Sequence, residues 1–213
     1  DLEAAVTPKT KAILPVHYGG IPCAMDVIMD VARKHNLFVI EDAAHGTVSF
    51  DNQKHLGTTG HLGVLSFHEH KNIISGEGGA LLINDEQFVE RALIIADKGT
   101  NRRAFMEGKV DKYTWKDKGS SYSTSELTAA FLWAQLQEAD KITAKRLSIW
   151  NIYHKALAEL EVVGILRRPI IPNTCSYNGH MYFILLKNLL HRQAFIAQLK
   201  EKGIQDRKST RLN

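Results

Sequence analysis

Lys71 lies in a polar, glycine-rich loop between two short apolar runs, residues 64–67 and 80–83. A single amine on a loop between two strands can be aimed as a nucleophile, and lysine condenses with carbonyl compounds once its ammonium gives up a proton. Partial burial or a neighbouring cation lowers its pKa toward that state. Upstream, Asp42 closes the apolar run 37–41, and a carboxylate at a strand end can pair with a protonated heterocycle nitrogen. His45 follows three residues later and can face the same crevice, while Ser66 ends the strand before Lys71 and offers a hydroxyl to a phosphate. Each residue has an ordinary reading: a helix cap for Asp42, a surface histidine for His45, a strand-end hydroxyl for Ser66, a loop lysine for Lys71. Taken in this order they form the set pyridoxal phosphate requires. The lysine holds the aldehyde, and the acid keeps the pyridine nitrogen protonated so that the ring becomes an electron sink.

The elements that must position these groups read as α/β. Residues 12–16 form a short apolar strand, and Tyr18-Gly19-Gly20-Ile21-Pro22 a turn. Met25, Ile28, Met29 and Ala32 then recur at helical spacing before the strand 37–40. Strand, helix, strand with buried character marks a parallel sheet with helical crossovers, whose ligands sit beyond the carboxyl ends of the strands. Asp51-Asn52-Gln53-Lys54 reads as a tight turn, and Asn84-Asp85 caps a helix through about residue 97. Residues 98–119 read as a long polar loop. A helix over 125–136 carries Leu127, Ala130, Phe131 and Ala134 as its apolar stripe, and a second helix spans 140–160 with Leu147, Trp150 and Tyr153 facing a core. Residues 161–176 read as irregular, 181–186 as a strand and 193–202 as a helix. The expected domains are a large α/β part over 1–139 and a bridging helix with a small α+β part over 140–205. Residues 206–213 form a polar tail that fits no element and is expected to be disordered or foreign to the gene.

Composition narrows the function classes. The 213 residues are 44% hydrophobic and 23% charged, which is ordinary for a globular protein able to bury a core. No apolar run approaches the roughly 20 residues of a membrane-spanning helix, and the opening Asp1-Leu2-Glu3-Ala4-Ala5 is acidic and helix-like, unlike a secretory leader. The net charge of +4 is scattered in pairs such as Arg102-Arg103 and Arg167-Arg168, which suits a small anionic ligand better than nucleic acid. The two cysteines, Cys23 and Cys175, match no metal spacing and read as free thiols of a cytoplasmic protein.

Four motifs carry a resemblance. Pro15-Val16-His17-Tyr18-Gly19, Glu41-Asp42-Ala43-Ala44-His45-Gly46, Ser66-Phe67-His68-Glu69-His70-Lys71-Asn72 and Gly76-Glu77-Gly78-Gly79 resemble the DegT/DnrJ/StrS family of sugar-nucleotide aminotransferases. These are pyridoxal-phosphate enzymes of the aspartate-aminotransferase fold (fold type I), and the resemblance spans residues 1–205. Lys98-Gly99-Thr100-Asn101-Arg102, Lys112-Tyr113-Thr114-Trp115 and Gly119-Ser120-Ser121-Tyr122 resemble one branch of it, the dTDP-4-amino-4,6-dideoxygalactose transaminases of enterobacterial common antigen biosynthesis.

The resemblance implies a role for each matched residue. Lys71 would hold the cofactor as a Schiff base and move the proton, Asp42 would bind the pyridine nitrogen, His45 would lie near the ring hydroxyl, and Ser66 would touch the phosphate. Ser121 lies in the segment 119–123, which resembles a loop that in the family reaches the phosphate of the neighbouring subunit's cofactor; many relatives have asparagine there and this chain has serines. The implied protein is a cytoplasmic homodimer taking glutamate and a dTDP-linked 4-keto-6-deoxyhexose. Family members also bring a further part of the large domain, with a phosphate cup and a ring-stacking aromatic, and a longer small domain. The chain is therefore expected to be a fragment that is inactive by itself. The rivals are a transaminase for another nucleotide sugar, a pyridoxal-phosphate lyase, and a non-catalytic nucleotide-sugar binder.

Overall fold

A computed structural model describes residues 1–205; the tail expected over 206–213 lies outside the described residues. Strand β1 (Ala12–Ile13) leads through a turn to helix α1 (Met25–His35) and strand β2 (Phe38–Asp42). Met25 and Ala32 are buried and Ile28 and Met29 partly so, which is the face their spacing predicts; Val31, Ile13, Leu37 and Val39 complete this core. Asn36 ends α1 in the left-handed conformation (φ 52°), and its N–H returns to the carbonyls of Ala32 and Arg33.

A hairpin follows: β3 (Phe50–Asp51) and β4 (Lys54–His55). Asn52 and Gln53 between them both have positive φ (45° and 67°), the conformation a two-residue hairpin turn demands. Strand β5 (Leu62–Ser66) then pairs in parallel with β2, placing Asp42 opposite Val64. No helix intervenes between β2 and β5, so this crossover is made by the hairpin and its flanking loops rather than by the helix expected of a parallel sheet. Strand β6 (Gly79–Ile83) returns antiparallel to β5, giving the order β1-β2-β5-β6.

Asp85 caps a single 3-10 turn over Glu86–Phe88, which leads into α2 (Val89–Ala96). The stretch expected to be loop holds a short helix, α3 (Arg102–Met106), too brief to show hydrophobic periodicity. Helix α4 (Glu126–Gln137) starts where expected, with Ser125 Oγ accepting from the Thr128 N–H, but its burial is rotated. Partial burial falls on Thr128, Ala129, Leu132 and Gln135, while Leu127 is 85% and Phe131 50% exposed. Apolar side chains lie nearly all round this helix, so its sequence does not by itself choose a buried face.

The long second helix is in fact two, α5 (Ala139–Ala156) and α6 (Ala158–Val162). Short strands β7 (Leu166–Arg167), β8 (Cys175–Ser176) and β9 (Leu185–Leu186) follow, then α7 (Leu189–Glu201), capped by Asn188 Oδ1 on the His191 N–H. The strand expected over 181–186 is confined to its last two residues, and β7 and β8 lie in the stretch expected to be irregular.

Two compact units result. One comprises residues 1–147 with 171–180, because β8 pairs with β3. The other comprises 148–170 and the described residues from 181 on. In the second, Trp150 is buried, stacked on His154 (centroids 4.5 Å apart) and edge-on to Tyr182, whereas Tyr153, expected in the core, is 53% exposed. Glu161 accepts from the Arg168 main-chain N–H (2.7 Å) and Nε (2.6 Å), and these bonds hold its carboxyl below the usual glutamate range.

The first unit is organised by Glu41, which is completely buried. Alternation along β2 turns Val39 and Glu41 to one face and Ile40 and Asp42 to the other. The Glu41 carboxylate accepts N–H groups of Gly57 (3.0 Å), Thr59 (2.7 Å) and Gly60, and Oε2 lies 2.8 Å from His17 Nε2. His17 Nδ1 accepts the Cys23 N–H, which assigns the ring hydrogen to Nε2 and makes it the donor to Glu41. From outside the same loop, Asn84 Nδ2 donates to the carbonyls of Gly57 and Gly60. Glycine is required opposite: a Cβ on Gly63 would lie 2.1 Å from the Gly57 carbonyl oxygen.

Burial opposes ionisation of Glu41, but the His17 bond and the three main-chain N–H groups outweigh it and lower its pKa. A carboxyl lowered on folding adds stability above its unfolded pKa of about 4.3 and loses that contribution as pH falls through the folded value. Thermal melts from pH 7 down to pH 3 should therefore show a steeper acid loss for the wild type than for Glu41→Gln. Glu41→Ala should cost about 3–5 kcal/mol at neutral pH, read by urea denaturation. Parallel Tm–pH curves for wild type and Glu41→Gln would contradict this.

Candidate active site

Asp42 and Ser66 end neighbouring parallel strands, β2 and β5, at the same carboxyl edge of the sheet. This is where ligands of open α/β sheets bind. The Asp42 main chain is fixed on both sides: its N–H donates to Pro15 O (2.8 Å) and its carbonyl accepts the His17 N–H (3.0 Å). Its side chain is not a helix cap. Oδ1 accepts the Ala44 N–H (3.0 Å) in a turn, and among the described residues no lysine, arginine or histidine pairs with the carboxylate. A half-buried, unpaired carboxylate at this edge matches a ligand carrying a positive N–H.

His45 follows in the same turn. Its Nδ1 accepts the Gly19 N–H (3.0 Å), which assigns the hydrogen to Nε2, and Tyr18 meets the ring edge-on at 5.4 Å. Ser66 Oγ accepts weakly from the His68 N–H at 3.4 Å, leaving its hydroxyl hydrogen to be donated. Lys71 is half-buried, its N–H bonded to His68 O (2.9 Å) in a tight turn of the β5–β6 loop. Its carbonyl accepts from Arg146 Nη2 (3.4 Å), and Arg146 Nη1 donates to His180 O (3.5 Å).

Ser121 is placed differently. It is exposed, bridged to Asp97 at the end of α2, and its neighbours Ser120 and Tyr122 bond the carbonyls of Ile95 and Ala96. Its main-chain partners thus belong to α2 rather than to β2 or β5. The three segments that resemble one branch of the family meet here. Lys98 N–H donates to Ser120 O, the N–H groups of Lys116 and Asp117 donate to Gly99 O, and the Asn101 side chain bridges Lys112 O and the Thr114 N–H.

The residues sequence motifs do not mark are those that brace its loops from far downstream. Asn178 is completely buried and donates through Nδ2 to the carbonyls of His45 and Thr47 (both 2.8 Å). Its Oδ1 accepts the His180 N–H (3.0 Å), and its carbonyl accepts Asn72 Nδ2 (2.8 Å). Gly20, with φ +83°, admits this side chain: a Cβ there would lie 2.6 Å from Asn178 Oδ1. The usable local signal was the Asn178-Gly179 pair, a turn dipeptide shortly before the apolar run 181–186. Both cysteines are free. Burial, helped by the Asp51 charge, pushes the Cys175 thiol up to about 11, so it is no thiolate nucleophile at neutral pH.

Among the described residues no group of histidines, cysteines and carboxylates could hold a metal, and no helix is long and apolar enough to cross a membrane. The Asp42 carboxylate, the His45 imidazole N–H and the Ser66 hydroxyl at this edge, with Lys71 on the loop after β5, are the group types pyridoxal phosphate takes.

The fold and this edge define a fold type I, aspartate-aminotransferase-like α/β protein. The chain belongs to the DegT/DnrJ/EryC1/StrS aminotransferase family, whose model matches residues 1–209. It is 34% identical over 210 residues to an uncharacterized protein of Methanocaldococcus jannaschii, covering 96% of this chain and 54% of that one. An aminotransferase from Psychrobacter cryohalolentis superposes with TM-score 0.86 at 30% identity, over 95% of this chain and 55% of the other. DesV of S. venezuelae, solved in complex with a ketimine intermediate, gives TM-score 0.80 at 27% identity, over 96% and 51%. The chain thus spans about half the length of the relatives it matches.

Asn178→Ala removes three side-chain hydrogen bonds and leaves two buried carbonyls short of a donor. It should destabilise the fold by about 2–4 kcal/mol in urea titrations. Asp42→Asn, whose Oδ1 can still accept from Ala44, should stay within about 0.5 kcal/mol of wild type. Equal destabilisation by the two variants would refute this division of roles.

Proposed function

We propose that the protein carrying this chain is a pyridoxal-phosphate aminotransferase acting on a nucleotide-linked keto sugar. The observation that carries the reading is the unpaired Asp42 carboxylate beside Ser66, with Lys71 on the loop that follows. Bound, pyridoxal phosphate supplies the carbonyl that carries the amino group and the ring that accepts electrons. Asp42 would keep a proton on the ring nitrogen, His45 Nε2–H would donate to the ring oxygen, and the Ser66 hydroxyl would donate to the phosphate. Lys71 would take the proton from the donor's α-carbon and return it on the acceptor.

Glutamate is the donor in this reading, and the 4-keto group of a dTDP-linked 4-keto-6-deoxyhexose is the acceptor. What supports the sugar is the likeness of three segments to the dTDP-4-amino-4,6-dideoxygalactose branch, together with their convergence into one hydrogen-bonded loop cluster at the end of α2. The protein would work in the cytoplasm as a homodimer with shared sites. The exposed apolar side chains of α4 and the exposed Ser121 support that reading, since both are costly or idle surfaces in an isolated chain.

The test uses the full-length polypeptide. Added pyridoxal phosphate should give a visible band that borohydride fixes covalently to Lys71, and Lys71→Ala should lose both the adduct and turnover by several orders of magnitude. Asp42→Asn should still bind cofactor but slow the half-reaction with glutamate more than 100-fold, an effect of at least about 2.7 kcal/mol on the barrier. Turnover on dTDP-, UDP- and GDP-linked ketosugars then selects the acceptor. A Lys71→Ala variant with wild-type turnover would sink the assignment.

Dimerisation has its own check. Replacing Leu127 and Phe131, 85% and 50% exposed, by aspartate should shift the full-length protein toward monomer in analytical ultracentrifugation. An unchanged dimer would place the interface elsewhere.

A further inference from the structure

We propose that His180 is a positioning residue that acts through His45, holding its ring so that Nε2–H faces the Asp42 edge. The proposal rests on the pyridoxal-phosphate reading above. The two imidazoles are stacked, with centroids 4.2 Å apart and planes within 22° of parallel. Tyr18 also meets the His45 ring edge-on, and the Gly19 N–H fixes its Nδ1. His45 is thus held by contacts from both an early turn and a segment 135 positions downstream.

His180 is itself held. Its N–H donates to Asn178 Oδ1, and its Nδ1 lies 2.7 Å from Asn72 Oδ1. Asn72 is buried and donates its Nδ2 hydrogen to Asn178 O, so its Oδ1 is the acceptor and His180 Nδ1 bears the hydrogen. Asn72 directly follows Lys71, and Arg146 ties the Lys71 carbonyl to the His180 carbonyl. Gly179 takes φ +63° and packs so closely on α5 that a Cβ would lie 3.1 Å from the Arg146 main chain, which leaves the segment little room to shift. One downstream residue therefore braces both the imidazole and the turn that presents the amine.

The two contacts of His180 can be separated. His180→Phe keeps an aromatic ring against His45 but loses the Nδ1 hydrogen bond; His180→Ala loses both. In the full-length protein, His180→Ala should weaken pyridoxal-phosphate binding about 3- to 10-fold, the span of an aromatic pair, and His180→Phe by less than about 3-fold. In a His45→Ala background the same His180→Ala change should have no further effect on binding, because its route is gone. In the apoprotein, nitrogen-15 imidazole shifts should report the Nε2–H form of His45 in wild type and His180→Phe and a tautomer mixture in His180→Ala.

Additive losses in the double variant, or equal affinity of wild type and His180→Ala, would overturn the positioning role while leaving the cofactor reading intact. Failure of the wild type to bind pyridoxal phosphate would overturn the cofactor reading and this role with it. A loss of thermal stability in His180→Ala accompanied by an unchanged His45 tautomer would reduce His180 to a packing residue.

Discussion

A buried carboxylate in the middle of a sheet is stable only when its lone pairs are taken up, and Glu41 shows what that requirement imposes. Its oxygens collect three main-chain N–H groups from residues 57–60 and the His17 imidazole from the turn after β1. That loop has no regular structure of its own. Its N–H groups are satisfied by Glu41 and its carbonyls by Asn84, so it behaves as a rigid crossover between two parallel strands where a helix would ordinarily serve. The register of β2 against β5, and with it the adjacency of Asp42 and Ser66, depends on this arrangement.

Strand alternation then divides the work between neighbouring residues. Glu41 points into the unit and is spent on structure; Asp42 points to the opposite face and keeps its charge unpaired at the sheet edge. Such a separation lets a site carry an unneutralised acid without loss of fold, because the stabilising bonds are made one residue away. The main chain of Asp42 is nonetheless pinned from both sides by Pro15 and His17, so the carboxylate is presented from a fixed backbone.

Asn178 performs the same service at longer range. Through it, residues 171–180 join the first unit although the chain on either side belongs to the second. The buried amide meets carbonyls that the turn after Asp42 leaves without partners, and its neighbours His180 and Asn72 extend the network to the lysine turn. Buried polar networks of this kind specify one arrangement of loops that apolar packing alone would leave loose.

Local signals in the sequence determined a good deal. The apolar runs marked β2, β5 and β6 to within two residues; helical spacing marked α1, and Ser125 marked the start of α4, because alternation, periodicity and capping are properties of a few consecutive residues. The motifs around Asp42, His45, Ser66 and Lys71 also named the family. What depended on distant partners was decided only in three dimensions. Leu127 and Phe131 looked like core because they are apolar, but the side of α4 that is covered depends on what packs there, and that side holds Thr128, Ala129 and Leu132. His17 and Glu41 stood inside quoted motifs, yet their bond joins residues 24 positions apart and is invisible to any local pattern. Asn178 and His180 lie more than 100 residues from the lysine turn they brace. A hydrogen bond is worth as much across that distance as across a turn, but only the folded chain says which donor meets which acceptor.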